Sequence, residues 1–189
     1  MKQALLLIDV QNDYFPGGRY PLDHPEDTLP VIARLLACFR ARRLPVYFIQ
    51  HLCPAGAPFF EAGTAGAALH PALTPRPDEA VIRKTAPDSF YRTTFAAQLE
   101  KDGVDALVAG GMMTHMCVDT TVRAARSRGL PVTLITDACA DTALTWQAVR
   151  LPADIVQAVH FAALADGFAD VMESEEFFTK TAACPPAAG

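Results

Sequence analysis

The sequence predicts a three-layer α/β/α sandwich built on a six-stranded parallel sheet, and three observations support this fold class. Short apolar segments alternate along the chain with segments of helical spacing, which is the pattern of α/β domains. The apolar segments are hydrophobic on both faces, as a sheet covered on both sides requires. The length of 189 residues suits one domain with a sizeable core.

Six segments have the length and composition of buried strands. Each is an apolar run of a few residues, and the first of them ends in an aspartate. A continuous run of this kind is typical of a strand that is buried within a parallel sheet. In chain order the predicted strands cover 4–9 (ALLLID), 46–50 (VYFIQ), 80–84 (AVIRK), 105–109 (DALVA), 131–137 (PVTLITD) and 168–172.

Four segments between these strands are predicted helices. Arginines occupy the last turn of the first helix, where positive charge complements the helix dipole. Gly103 and Gly129 follow the second and third helices and are expected to end them. The predicted helices cover 28–43, 92–102, 114–128 and 153–165.

The remaining segments define the domain organisation. Residues 53–79 hold many Pro, Gly and Ala residues and are predicted to form a long loop with at most one short helix. No linker or internal repeat divides the chain, so residues 1–180 are expected to form a single domain. Residues 181–189 (TAACPPAAG) are expected to be a flexible tail.

Composition excludes several classes of function. The net charge of −5 gives no basic footprint for nucleic acid. The apolar run near the N-terminus is too short to cross a membrane, and acidic residues follow it at once, so we expect a cytoplasmic protein without a signal peptide. No CxxC motif is present, so neither a zinc site nor a disulfide framework is indicated and reduced thiols are expected. The cysteines are Cys38, Cys53, Cys117, Cys139 and Cys184.

Three chemically active side chains are predicted to meet at one edge of the sheet. Ligands of parallel sheets bind beyond the carboxyl ends of the strands. Asp9 and Lys84 end the first and third strands, and Cys117 follows the fourth strand near the start of a helix. A helix N-terminus and a neighbouring ammonium both lower the pKa of a thiol, so Cys117 is a candidate nucleophile. Asp9 is then a candidate proton shuttle. The alternative for each residue alone is a structural role.

The chain resembles the isochorismatase-like cysteine hydrolases, a family that includes nicotinamidases and carbamoylsarcosine amidases. The similar segments are LLLIDVQNDYF at 5–15, VIRKTAPDSFYRTTFAAQL at 81–99, GVDALVAGGMMTHMCVDTTVRAA at 103–125 and PVTLITDACAD at 131–141. The resemblance implies a catalytic triad of Asp9, Lys84 and Cys117, and no cofactor. It also implies a cis peptide bond at Met112–Met113 and an oxyanion hole formed by the backbone amides of Met113 and Cys117. It further implies a small-molecule substrate and a homo-oligomer, either a dimer or a tetramer.

The sequence departs from the nicotinamidases at the position of their metal site. Those enzymes have an aspartate two residues before a histidine after the second strand, with a second histidine further on. Here Ile49 stands two residues before His51, and His70 is the other histidine of the long loop. We therefore predict no metal site and do not expect nicotinamide to be the substrate.

The substrate pocket is expected to form around the predicted triad. Aromatic residues that flank Asp9 and Lys84 in the sequence are candidates for its walls, with core packing as the alternative. A glutamine beside Asp9 and a histidine beside Cys117 are candidates for substrate contacts. The predicted pocket residues are Gln11, Phe15, Phe90, Tyr91 and His115.

Three hypotheses of function stay open at this point. The first is a cofactor-independent hydrolase that cleaves a C–N bond of a small amide, urea or lactam through a thioester at Cys117. The second is an isochorismatase-type vinyl ether hydrolase, in which Asp9 acts as an acid and Cys117 is incidental. The third is a redox sensor or binding protein, in which Cys117 pairs with Cys139. Fold alone does not choose among them.

Overall fold

A computed structural model describes residues 1–181 and contains a six-stranded sheet in which every neighbouring pair of strands is parallel. The predicted six-stranded parallel sheet is therefore confirmed. The strands of this sheet are β1 (Gln3–Ile8), β2 (Val46–His51), β3 (Ala80–Lys84), β4 (Ala106–Met112), β5 (Val132–Ala140) and β8 (Asp170–Met172). Their order in the sheet is β3-β2-β1-β4-β5-β8.

Helices cover both faces of the sheet, as the predicted three-layer sandwich requires. On β1, Leu5 and Leu7 pack into a core with the residues of one pair of helices, whereas Leu6 and Ile8 pack into a second core on the opposite face. Burying one such side chain stabilises the fold by about 1.5–3 kcal/mol. The helices of the first face are α1 (Thr28–Ala41) and α5 (Ser174–Thr181), and those of the second are α2 (Phe95–Lys101), α3 (Asp119–Ser127) and α4 (Ala153–Ala165).

Several elements differ in extent from the sequence-based expectation. A turn of π-helix over Thr114–Val118 precedes α3, where one continuous helix was expected. β5 continues past Asp137 to Ala140, and α2 begins at Phe95 and not at residue 92. Two elements were not predicted at all. These are the antiparallel hairpin of β6 (Leu144–Trp146) with β7 (Val149–Leu151), and α5.

The long loop over residues 53–79 contains one short 3₁₀ turn, Pro71–Leu73, in line with the prediction. Asp13 fixes this loop against the end of β1. Its Oδ2 accepts a hydrogen bond of 2.6 Å from the amide of Phe60, and its own amide donates to the carbonyl of Gly66 at 2.9 Å. A Cβ at Gly66 would lie 2.1 Å from Asp13 Oδ1, so the close approach of the two chains requires glycine there.

The state of the cysteines differs in part from the expectation of reduced thiols. Cys53, Cys117 and Cys139 are free. The expectation is wrong for Cys38, which is disulfide-bonded, because spacing along the chain does not reveal which thiols the fold brings together.

Three expectations, which concern the C-terminal tail, the domain organisation and the location of the protein, stay predictions. Of the expected flexible tail, Thr181 belongs to α5 and the rest lies outside the described residues. Within residues 1–181, no helix is long and apolar enough to cross a lipid bilayer. The expected cytoplasmic location and single domain are not tested by this finding.

Candidate active site

Asp9, Lys84 and Cys117 lie together at the carboxyl edge of the sheet, where the sequence predicted that they would meet. Lys84 Nζ is 2.8 Å from Asp9 Oδ2. One carboxylate oxygen of Asp9 and the Sγ of Cys117 lie within 4.8 Å of each other. All three residues are at most 2% exposed. Aspartate and lysine are seldom fully buried unless they are paired or serve a function, so this cluster is the candidate active site.

Asp9 follows the last residue of β1 in a left-handed conformation, with φ of 51°. Aspartate adopts this conformation more readily than most residues do. The backbone amide of Asp9 donates to the carbonyl of Ile49 at 3.1 Å, which holds the turn against β2. Among residues 1–181 the carboxylate has Lys84 as its ion-pair partner and accepts no well-aligned hydrogen bond. A buried carboxylate of this kind is available to take a proton.

Lys84 is the last residue of β3 and its ammonium reaches into the cluster. Besides contacting Asp9, Nζ donates to the carbonyl of Pro87 at 2.8 Å. Burial acts to lower the pKa of Lys84, but the Asp9 carboxylate and the Cys117 sulfur outweigh it and the pKa is raised. The site therefore contains a fixed positive charge beside the carboxylate and the sulfur.

Cys117 is placed by the π-turn that links β4 to α3. The amide of Val118 donates to the carbonyl of Met113 at 3.2 Å, which closes the turn. A Cβ at Gly111 would lie 2.0 Å from the carbonyl oxygen of Ile8, so only glycine lets β4 run this close to β1 just before the turn. The Met112–Met113 peptide bond is cis. Within the described residues the amide of Met113 makes no backbone hydrogen bond.

Asp141 anchors the same turn from the segment after β5. Its carboxylate accepts a hydrogen bond of 2.8 Å from the amide of His115 and contacts the His115 ring at Nδ1. From α4, Gln157 donates to Thr114 Oγ1 at 3.1 Å and to the carbonyl of Cys139 at 3.0 Å. The turn that carries Cys117 is therefore hydrogen-bonded both to the segment after β5 and to α4.

The pKa of the Cys117 thiol is raised, whereas the sequence-based argument expected it to be lowered. Burial is the largest cause, and the negative charge of Asp9 adds to it. The ammonium of Lys84 acts to lower the pKa, as expected, but does not compensate. The resting cysteine is therefore a neutral thiol, and it needs a base to become a nucleophile.

His51, which was not among the predicted site residues, is a fourth member of this cluster. Its Nδ1 lies 3.8 Å from Cys117 Sγ and 3.9 Å from Asp9 Oδ2. Burial lowers the pKa of His51, and the ammonium of Lys84 adds to this effect against the charge of Asp9, so the ring is neutral at pH 7. Its place at the end of β2, on the same sheet edge as Asp9, was the signal in the sequence.

Aromatic side chains form one wall beside the cluster. Tyr14, from the turn after β1, packs against Phe60 of the long loop with ring centroids 4.5 Å apart, and Phe60 lies 6.1 Å from the His51 ring. Phe59 packs against the same group, with its ring centroid 5.8 Å from that of Tyr14 and the two rings tilted. Burial, with a contribution from Asp9, raises the pKa of Tyr14. These residues were not predicted, because the shape of a loop does not follow from sequence pattern.

Two of the five predicted pocket residues, Gln11 and Phe15, make contacts with other parts of the structure. Gln11 is fully buried, and its amide group donates to the carbonyls of His51 and Ala67, each at 2.9 Å, while its oxygen accepts from the amide of His51. It therefore joins β2 to the long loop, and its predicted contact with a substrate stays a prediction. Phe15 packs against His70, with ring centroids 4.3 Å apart, in a cavity of about 510 Å³ that none of the triad residues line.

The other three predicted pocket residues also lie outside the cluster. Phe90 belongs to the core with Phe95, at a centroid distance of 4.8 Å, as the packing alternative held. Tyr91 is 51% exposed. His115 is engaged by Asp141 as described above. Side-chain direction in these segments is set by local turns, which sequence proximity to Lys84 or Cys117 does not reveal.

The cluster does not have the character of a resident metal site. Asp9, His51 and Cys117 offer ligand atoms within 4.8 Å of one another. However, the Lys84 ammonium already lies against the carboxylate, and a second cation beside it would be repelled. His70 is not part of this group, and its Nδ1 accepts a hydrogen bond from the amide of Ala72. The absence of a metal stays a prediction.

Comparisons with known proteins agree on one family. The family model of the isochorismatase domain matches residues 3–176. An uncharacterized isochorismatase family protein of Bacillus subtilis, YddQ, is 41% identical over 178 residues, which cover 94% of this chain and 99% of that protein. A streptothricin hydrolase of Streptomyces noursei is 35% identical over 142 residues, covering 72% of this chain and 49% of that enzyme.

Solved structures show the same fold. The crystal structure of an isochorismatase hydrolase from Oleispira antarctica superposes with a TM-score of 0.92 at 38% sequence identity. The match covers 94% of this chain and 96% of that one. The similarity therefore extends through all three layers of the domain.

Proposed function

This chain belongs to the isochorismatase family and is a hydrolase, and we propose that it cleaves a C–N bond of a small amide, urea or lactam through a thioester at Cys117. The observation that carries the proposal is the buried contact of a neutral thiol, a carboxylate and an ammonium. These are Cys117, Asp9 and Lys84. Together they supply a nucleophile, a base for its proton and a charge that stabilises the developing anion.

In the first half of the reaction, Asp9 takes the proton of the Cys117 thiol. The sulfur then forms a bond to the carbonyl carbon of the substrate, and the carbonyl electrons move to oxygen. When the C–N bond breaks, the leaving nitrogen takes the proton from Asp9 and departs as a neutral amine or ammonia. The raised pKa of the thiol is compatible with this sequence, because the base lies next to the sulfur.

In the second half, water hydrolyses the thioester. Asp9 accepts one proton from the water as its oxygen bonds to the carbonyl carbon, and the C–S bond then breaks. The sulfur takes this proton back, so the free thiol and the carboxylate of Asp9 are restored. The sum is amide plus water giving acid plus amine, without a cofactor.

Lys84 and the backbone of the π-turn are assigned to the charges of the transition states. The ammonium of Lys84 stays protonated, because its pKa is raised, and stabilises the thiolate as it forms. The backbone amides of Met113 and Cys117 are proposed as the oxyanion hole. The Met113 amide makes no backbone hydrogen bond among the described residues, which supports this role.

The proposed substrate is small and has at least one flat or apolar part. The aromatic rings of Tyr14 and Phe60 lie next to the cluster, and Phe59 packs against both of them. Such walls bind planar groups well and provide few charged contacts. A dicarboxylate, the substrate type of the vinyl ether alternative, would need more than one cation, and Lys84 is already paired with Asp9.

The test is product release from a panel of primary amides, ureas and lactams, with chelator present. Ammonia is measured for the amides and ureas, and loss of substrate by chromatography for the lactams. We expect turnover that is lost in Cys117→Ala, by roughly 10⁴-fold or more, and retained in Cys53→Ala, which removes another free thiol. Turnover that survives in Cys117→Ala and is lost in Asp9→Asn would support the vinyl ether type of mechanism instead.

A further inference from the structure

The His51 ring occupies a distinctive position among the groups of the cluster. Its Nδ1 faces both Cys117 Sγ, at 3.8 Å, and Asp9 Oδ2, at 3.9 Å. The side chains of Asp9 and Lys84 are 0% exposed, whereas that of His51 is 13% exposed. His51 therefore lies between the buried reacting groups and the solvent, where the water for the second half-reaction must enter.

The backbone of His51 is held rigidly, so the ring position is well defined. Its amide donates to Gln11 Oε1 at 2.8 Å and its carbonyl accepts from Gln11 Nε2 at 2.9 Å. In the sheet it pairs with Lys84 on β3. The ring also makes a hydrogen bond to the Thr85 backbone. Two neighbouring strands thus fix the ring beside the sulfur and the carboxylate.

We propose that His51 is a further catalytic residue, which binds the hydrolytic water at Nδ1 and orients it toward the thioester at Cys117. This inference rests on the proposed function. In this role the ring is neutral, carries its proton on Nε2 and presents the Nδ1 lone pair to the water. Protonation of Nδ1 would remove the acceptor.

With Asp9 and His51 as its two partners, the hydrolytic water has one acceptor for each of its hydrogens. One O–H donates to Asp9, which takes that proton as the C–O bond forms. The other O–H donates to His51 Nδ1 and stays on the oxygen. His51 therefore neither gains nor loses a proton over the cycle, and the C–S bond breaks as described above. The first half-reaction needs no such water, so His51 is specific to hydrolysis of the thioester.

The experiment uses p-nitrophenyl acetate as the probe, because it separates the two half-reactions. Formation of p-nitrophenolate in the first turnover reports acetylation of Cys117, and loss of the acetyl group, followed by intact mass, reports hydrolysis. The variants are His51→Leu, which removes the acceptor, and His51→Asn, which places an amide oxygen near the position of Nδ1. His70→Leu is the matched control, since His70 packs against Phe15 away from the cluster.

We expect His51→Leu to keep the rate of acetylation within about twofold and to slow hydrolysis roughly tenfold to a hundredfold, so that acetylated Cys117 accumulates. His51→Asn should recover part of the hydrolysis rate, and His70→Leu should match the parent protein. If His51→Leu fails to fold, as judged by circular dichroism, the same comparison is made with His51→Asn. In that case an increase of acetylated Cys117 over the parent supports the inference and no increase overturns it.

The two possible failures are distinguishable. If both half-reactions slow equally in folded His51 variants, or if neither slows, this inference is overturned and the proposed function stands. If the parent protein shows no acetylation that depends on Cys117, the proposed function is overturned and this inference with it.

Discussion

Charged side chains are usually exposed and apolar ones buried, and two regions of this protein depart from that rule in opposite ways. They are the carboxyl edge of the sheet and the outer face of α4. At the sheet edge, Asp9 and Lys84 are charged and buried. On α4 and the hairpin before it, apolar side chains are exposed, and we call this set the apolar face. Its members are Trp146 (74% exposed), Val149 (59%), Leu151 (36%), Ile155 (46%) and Val159 (61%).

The two regions share one helix, which makes the contrast informative. Gln157 of α4 bonds to Thr114 in the turn that carries the nucleophile candidate. Ile155 and Val159, two positions to either side of Gln157, are exposed because they lie on the opposite side of the helix. Buried charges are costly unless they are paired or used in chemistry, and exposed apolar groups are typical of surfaces that bind a partner. One face of α4 therefore supports the turn of the candidate active site, and the opposite face exposes apolar side chains.

The largest expected effect is that of Asp9→Asn on turnover. Loss of the base should lower turnover by roughly 10²–10⁴-fold. The same change removes a negative charge that raises the pKa of the Cys117 thiol, so that pKa should fall, although burial keeps it above its ordinary value. The variant should thus hold more thiolate at a given alkaline pH and yet turn over less. The rate of alkylation as a function of pH measures the thiol, beside the steady-state assay.

Asp137→Asn is the control for this experiment, because Asp137 caps α5 through Ser174. It should leave both the thiol pKa and the turnover unchanged. A thiol pKa that rises in Asp9→Asn would contradict the assignment of Asp9 as the charged neighbour of the sulfur.

The next effect is on stability, and it compares a buried ion pair with an exposed one. Lys84→Met leaves the carboxylate of Asp9 buried without a partner, and we expect a loss of about 3–5 kcal/mol in the free energy of unfolding. Lys180→Met breaks the pair with Glu176 on α5, where both side chains are more than half exposed, and should change stability little. Urea denaturation measures both variants. Equal losses in the free energy of unfolding would show that the buried ion pair stabilises the fold no more than the exposed one does.

The smallest expected effect on folding is that of Val159→Asp. Because Val159 is exposed, the free energy of unfolding should change by at most about 0.5 kcal/mol. We expect the parent protein to be a homo-oligomer that uses the apolar face, and a charge placed there should dissociate it. Light scattering at one concentration compares the parent, Val159→Asp and the control Val81→Asp on β3. A monomeric parent protein would show that the apolar face does not bind a second copy.

The sheet and the meeting of Asp9, Lys84 and Cys117 could be predicted from the sequence more completely than the surroundings of the site. Strands were predictable because apolar runs such as Leu5–Leu7 must be buried on both faces. Asp9, Lys84 and Cys117 were predictable because the ends of parallel strands converge. The hairpin at 144–151 has strands of three residues, too short to give a pattern. The pattern of residues 174–181, which form α5, is too short to establish a helix before the fold is known.

The pKa of the thiol and the side-chain contacts inside the site could not be predicted from the sequence for a different reason. The direction of the thiol pKa depends on how deeply Cys117 is buried, and burial is a property of the folded chain. Gln11 lies two residues from Asp9, but the left-handed turn at Asp9 directs the two side chains to different partners. His51 was not predicted as a site residue, because the motif that surrounds it resembles an incomplete metal site.

The position of Cys117, the nucleophile candidate, depends on the number of residues in the π-turn over Thr114–Val118. α3 is fixed in the core by Val122 and Ala125, which are fully or almost fully buried. Because β4 is held between β1 and β5, a turn shortened by one residue would change the rotation of the turn relative to β4 or to α3 by about 100° around the helix axis. Either change would alter the position of the sulfur relative to Asp9. The rotation of α3 relative to the sheet is therefore one of the features that place Cys117 in the candidate active site.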